Sequence, residues 1–254
     1  MEPHQKPITQ SNIRDILGVL DYRLDVLFQW NYPKDYFFLA GGWAVLAYKI
    51  LDRWERGRAL SKDLDFIWIQ NWKYNKLFVE TLNENSERLV IRDWLMEPYP
   101  SDETFISLDM FSEIEWDKSN RYLIEFMASR NFIEKDSEYS QEDFRQDILQ
   151  YFTNEDFNYL KYIKVCTPFV TWYTRLVTFR DEYWRLFVGS SIEDSDYYLK
   201  NYKEIAPALK KKLISIQEIE ENIWYLVHRY YKNSPTVIWD YNKFIENLKN
   251  EFWY

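Results

Sequence analysis

The chain has 254 residues, a formal charge of −9 and 46% hydrophobic residues, enough for one large domain or two modest ones. The acidic balance disfavours non-specific binding along phosphate backbones, which selects basic surfaces, and suits a cationic small molecule instead. A lone Cys166 excludes an internal disulfide, and two histidines, His4 and His228, with no Cys/His spacing exclude a zinc-finger site.

Met1–Gln10 lacks the apolar core of a signal segment. No apolar run approaches the roughly 18 residues of a spanning helix. The expectation is a cytoplasmic protein with no membrane partner. Aromatic residues make up 20% of the chain, which reads first as an aromatic-rich core and second as a ring-stacking pocket.

In chain order, residues 9–30 predict an amphipathic helix, with Ile13, Leu17, Leu20, Leu24 and Leu27 on one face. Ser11 or Asn12 could cap its start, and Asn31-Tyr32-Pro33 ends it. Residues 36–40 form an apolar run of strand length, followed at once by Gly41-Gly42 and a short helix over 43–51. A polar loop, 52–62, carries Arg53, Arg56, Arg58 and Lys62, and a second strand follows over 64–69. A helix is expected over 72–82, a strand over 88–94, and a hairpin of 105–116 with 121–128 across Asp117-Lys118-Ser119-Asn120.

After residue 135 the character changes. Residues 137–156 are polar and acidic, a short strand is expected over 162–166, and helices over 168–188, 195–203, 206–232 and 239–252. The expected fold class is α+β (α/β), a mixed sheet with flanking helices (1–135) followed by a mostly helical domain (136–254). Lys210-Lys211-Lys212 reads as a solvated helix face.

Three features carry chemistry. Gly41-Gly42 lies between a strand and a helix, where glycine permits positive φ and close approach of a ligand, and the helix start offers free N–H groups to a phosphate. Asp63 and Asp65 stand at i and i+2 of a strand, hence on one face. Two such carboxylates repel unless a cation joins them, and Mg²⁺, with its oxygen shell completed by water and substrate phosphates, is the natural partner. Glu125, inside the apolar strand Tyr122-Leu123-Ile124-Glu125-Phe126-Met127, is the preferred third carboxylate. It could bind metal or deprotonate a hydroxyl. Asp109 is its rival.

The stretch Phe38-Leu39-Ala40-Gly41-Gly42-Trp43-Ala44-Val45, then Leu60-Ser61-Lys62-Asp63-Leu64-Asp65-Phe66, resembles the signature of the DNA polymerase β-like nucleotidyltransferase superfamily. Within it, the chain is similar to aminoglycoside and lincosamide nucleotidyltransferases and to AbiEii-type toxins. The resemblance covers roughly residues 36–130. It implies a nucleotidyltransferase-type sheet and an NTP-dependent, pyrophosphate-releasing enzyme, with Asp63, Asp65 and Glu125 as metal ligands and catalytic groups. It further implies Gly41, Gly42, Ser61 and the basic residues Arg58, Lys62 and Arg175 as nucleotide contacts. Where such families often place a basic residue four positions before the first aspartate, this chain has Ala59, with Arg58 one position further back.

The implied function is Mg²⁺-dependent transfer of a nucleoside monophosphate to a hydroxyl of a small, cationic, aminoglycoside-like acceptor, an antibiotic-resistance activity. Two alternatives stay open. One is a toxin of a toxin–antitoxin pair that modifies tRNA or protein; the other is a nucleotide-binding module without catalysis. The sequence leaves the acceptor, the base of the NTP and the oligomeric state undetermined.

Overall fold

The computed structural model describes residues 13–28, 33–48, 63–71, 89–96, 103–111, 121–178 and 196–252. It is a mixed α/β protein, and among the described residues α-helices outnumber strands. Among the described residues, no helix is long and apolar enough to cross a membrane.

The apolar stripe of the first segment forms α1, Ile13–Phe28, and buries Ile13, Leu17, Leu20 and Leu24. A charged residue shares that buried side. Asp21 accepts backbone N–H bonds from Lys161 (2.7 Å), Tyr162 (2.7 Å) and Ile163 (2.8 Å). A carboxylate satisfied by three N–H groups can be buried where an unpaired one could not. Asp21 thereby ties α1 to the start of the last strand.

Among the described residues six strands build one mixed sheet: β1 Phe37–Leu39, β2 Asp63–Trp68, β3 Leu89–Met96, β4 Glu103–Phe111, β5 Arg121–Ala128 and β6 Ile163–Val165. Their spatial order is β3-β4-β5-β2-β1-β6. β1 runs antiparallel to β2 and parallel to β6, β2 runs parallel to β5, and β3-β4-β5 form an antiparallel meander. One face is aromatic. Phe66 stacks on its partner Phe126 (centroids 5.4 Å apart), and Phe37 meets Phe126 edge-on at 5.5 Å.

The helices are α2 Gly41–Ala47, α3 Gln141–Tyr151, α4 Pro168–Thr178, α5 Asp196–Lys210, α6 Ile216–Tyr230 and α7 Pro235–Phe252. α4 is the central one, buried from Pro168 through Thr174. Proline opens both α4 and α7, a position where its missing N–H costs nothing. Capping boxes start α3 (Ser140 with Asp143) and α6 (Ser215 with Glu218).

Four expectations change. Gly41 and Gly42 are the first residues of α2 rather than a turn ahead of it. The acidic stretch 137–156 contains α3, which buries Phe144, Asp147 and Ile148, the Asp147 carboxylate accepting the Tyr230 hydroxyl at 2.6 Å. α5 runs through the expected break near 204–205 and contains Pro207. An interior proline costs a helix about 3 kcal/mol; buried Asn201, Glu204, Ile205 and Ala208 on either side hold the segment in place. Finally, β6 comes from beyond residue 135 yet pairs with β1, and one continuous core joins both halves. The expected helix over 72–82, the polar loop 52–62, the hairpin turn and the extension of α4 to residue 188 lie outside the described residues.

Candidate functional site

The centre of the sheet sets the site. β1 ends at Leu39, and the Ala40 N–H donates to the Asp65 carbonyl at 2.8 Å. The chain then turns at Gly41, whose φ of +67° lies in the region that only glycine enters without strain. A side chain there would also collide: a Cβ on Gly41 would lie 2.9 Å from both Cβ and Cγ of Asp65, and closer still to its carboxylate oxygen. The glycine is therefore required by the aspartate beside it. Gly42 differs, because a Cβ there would meet nothing within 4 Å. Its lack of a side chain leaves open space against the backbone.

The strand register assembles the acidic positions. Asp65 pairs directly with Glu125 across the parallel β2–β5 ladder, and Asp63 pairs with Leu123. Neighbouring strands lie about 4.8 Å apart and residues two apart on a strand about 6.7 Å. Positions 63, 65 and 125 therefore occupy one face, within about 8 Å of one another, beside Gly41. Leu64 and Phe66, on the opposite face, are fully buried, while Asp65 is partly buried. The alternation of β2 thus places its acidic positions on one side and its core on the other.

The two candidates for third carboxylate separate on register. Glu125 is adjacent to Asp65. Asp109 on β4 pairs with Leu123, which puts it one strand beyond β5 from Asp63. Next to Glu125 the row continues with Ser107 and then Asp93 of β3. Among the described residues no group of three or more His, Cys, Asp or Glu could hold a metal; the side chains at 63, 109 and 125 lie outside them. So do Arg58, Ser61 and Lys62.

Arg175 is committed elsewhere. Its guanidinium forms a fork with Glu204 (2.7 and 3.1 Å) and a third bond to Asn201 Oδ1 (3.2 Å). Glu204 also accepts the Trp172 indole N–H at 2.9 Å. Both charged side chains are only 11% exposed. A guanidinium held this way is a strut between α4 and α5, and a phosphate would have to break the fork to reach it. Arg175, expected as a phosphate contact, is placed in this fork with Glu204 and Asn201.

One residue near the site escaped sequence reading. Thr171, fully buried on α4, donates its hydroxyl to the Gly41 carbonyl at 3.3 Å. No local motif signals a contact between residues 130 positions apart. Cys166, which follows β6, is no candidate nucleophile, since complete burial pushes its thiol pKa far above the ordinary range. His228 lies on α6, packed against Trp224, and burial lowers its pKa.

Asp65 and Gly41 are thus in contact, with positions 63 and 125 at adjoining points of the same face. Asp63, Asp65 and Glu125 are all carboxylic acids in sequence, a residue type that suits a hard divalent cation such as Mg²⁺ rather than a softer metal. No protein-family model matches the chain, and no curated protein matches it in sequence.

Proposed function

We propose that the protein is a Mg²⁺-dependent nucleotidyltransferase that moves a nucleoside monophosphate from an NTP to a hydroxyl of a small, cationic acceptor, on a sheet of the nucleotidyltransferase type. The observation that carries this reading is the direct pairing of Asp65 with Glu125 beside a glycine that cannot bear a side chain. Like charges in neighbouring positions raise each other's energy. A protein that aligns them and clears space next to them gains from a cation and an anionic substrate together.

In this reading Asp63, Asp65 and Glu125 would hold the metal, which supplies Lewis-acid neutralisation of phosphate charge when bound. The backbone at Gly42, open to approach, receives the phosphates. Glu125 takes the proton of the acceptor hydroxyl. The hydroxyl oxygen bonds to the α-phosphorus, the bond to the β-phosphate bridging oxygen breaks, and pyrophosphate leaves. Arg58, Ser61 and Lys62, immediately ahead of Asp63 in sequence, complete the phosphate contacts. The net charge of −9 favours a cationic acceptor such as an aminoglycoside-like amine over a polyanionic RNA.

The test is incubation of the purified protein with Mg²⁺ and each α-labelled NTP, against aminoglycosides, lincosamides and total tRNA. Label should move to a small acceptor, and Asp65→Asn should lower the rate by at least about a hundredfold. Undiminished transfer by Asp65→Asn, or no transfer to any acceptor, would overturn the proposal. Transfer to tRNA alone would replace the small acceptor with RNA.

A further inference from the structure

We propose that the turn closing α5, Lys210 to Leu213, docks on an anionic lipid surface: its lysines meet the headgroups and Leu213 enters the interface between them. The proposal is independent of the nucleotidyltransferase reading. It concerns contact with one face of a membrane and involves no crossing of it. The three lysines expected as a solvated helix face close a helix instead. Lys210 is the last residue of α5, and Lys211 and Lys212 lead into the turn.

The turn is a Schellman motif. The Lys212 N–H donates to the Leu209 carbonyl at 2.9 Å and the Leu213 N–H to the Ala208 carbonyl at 3.0 Å. At two positions it departs from what the motif favours. The left-handed residue is usually glycine, yet here it is Lys212, at φ +56°. The residue after it usually packs back on the helix, yet Leu213 is 52% exposed. Local stability alone would favour glycine and a packed or polar successor. A strained lysine and an exposed leucine kept side by side point to a use outside the fold.

Charge gives the turn its partner. From Ile205 to Gln217 there is no acidic residue, in a chain of net charge −9. Lys203 stands seven residues before Lys210, two helical turns away on the same face of α5. Lys203, Lys210, Lys211 and Lys212 are all exposed, and among the described residues none of them forms an ion pair. Lys210 lies over the Phe252 ring. Four such lysines are a local excess that the acidic remainder of the chain would turn towards an anionic surface. Leu213 decides between lipid and nucleic acid. A leucine adds nothing to a phosphate backbone, and the stretch Lys210 to Ser215 has no ring on which a base could stack. An apolar side chain buried beside basic headgroup contacts is how a lipid interface holds a protein.

The experiment sediments the full chain with vesicles of phosphatidylcholine alone, and of phosphatidylcholine with about 30% phosphatidylserine. Each is run at low salt and at about 0.5 M salt. The wild type should bind the phosphatidylserine vesicles at low salt, leave them at high salt, and ignore phosphatidylcholine alone. Each lysine at such a surface is worth about fivefold in affinity, so Lys211→Gln with Lys212→Gln should weaken binding about 25-fold. Leu213→Ser should weaken it about fivefold. Lys212→Gly relieves the strained position, so it should melt above the wild type while binding about fivefold more weakly, which separates loss of contact from loss of fold. No binding of the wild type to phosphatidylserine vesicles, or binding that the double variant leaves unchanged, overturns the proposal. Retention of total tRNA through the same lysines, with no vesicle binding, also overturns it and assigns the turn to RNA.

Discussion

Gly41→Ala is the sharpest single perturbation of the site, because geometry predicts its size and Gly42→Ala is a built-in control. At φ +67° an alanine costs about 1–2 kcal/mol in backbone strain. Its Cβ would also lie 2.9 Å from Asp65 Cβ and Cγ, closer than carbon atoms pack, and relieving such a clash costs about 1–3 kcal/mol. The two together give about 2–5 kcal/mol, hence a melting temperature lower by on the order of 10 °C for a chain of this length. Gly42→Ala meets open space and should melt within about 2 °C of the wild type. Moving Asp65 by an ångström should also cost Gly41→Ala about a hundredfold in nucleotidyl transfer. Thermal melting and a labelled-NTP assay on both variants decide the matter. Equal melting of Gly41→Ala and Gly42→Ala would refute the packing argument. A destabilised Gly41→Ala with full activity would refute the site instead.

Other expectations follow from the buried charges. Asp21→Asn replaces an acceptor of three backbone N–H bonds with a group whose amide nitrogen faces a donor; it should cost about 3 kcal/mol in urea denaturation, and a loss under about 1 kcal/mol would contradict the anchoring role. Glu204→Ala leaves the Arg175 guanidinium buried without its carboxylate and should cost about 3–5 kcal/mol, while Arg175→Met with Glu204→Leu should recover much of it; a double variant as unstable as the single one would show that the pair adds more than its own compensation. His228 has its Nε2 buried with no hydrogen-bond partner among the described residues, and burial lowers its pKa. The unfolded chain takes up the proton near pH 6.5 and the folded chain only at lower pH, so between these values the unfolded state binds more protons. Stability is fully present above about pH 6.5 and declines as the pH falls towards the lowered folded pKa; denaturation at pH 7.5 and 5.5 should show a smaller decline for His228→Gln than for the wild type, and equal declines would reject the assignment.

The central motif was legible because its periods are short. The run ahead of Gly41, the alternation of Asp63-Leu64-Asp65-Phe66 and the apolar strand around Glu125 each announce a local structure, and β1, β2 and β5 appear where these signals lie. Which third acidic residue sits beside Asp65 depends on register between strands 60 residues apart, and register is a property of pairing rather than of either strand. The partner of Arg175 was illegible for a related reason. A basic residue on a helix after a short strand looks available for phosphate until Glu204, on another helix, closes the fork. α3 was hidden because its mean composition is polar; only the spacing of Phe144 and Ile148 and the Ser140–Asp143 box mark it, and both are easily lost among the neighbouring acids.

The change of composition near residue 135 suggested a soft boundary there, and strand pairing crosses it. β6 pairs with β1 along Phe37, Phe38 and Leu39, and the Cys166 N–H continues the ladder to the Leu39 carbonyl at 2.9 Å. The side-chain amide of Asn154, in the second half, reaches the Ala47 carbonyl at the end of α2 at 3.3 Å. Thr171 holds Gly41 from the same side. A fragment ending at residue 135 would keep every acidic candidate of the site and lose the strand, the amide and the hydroxyl that hold the glycine turn in place. It would also expose Phe37, Leu39 and Val45, all completely buried in the whole chain. Such a fragment should therefore melt without a cooperative transition and bind no nucleotide. A cooperatively folding 1–135 fragment that bound Mg²⁺ and NTP would show that the helical half is an addition to the site rather than a part of its frame.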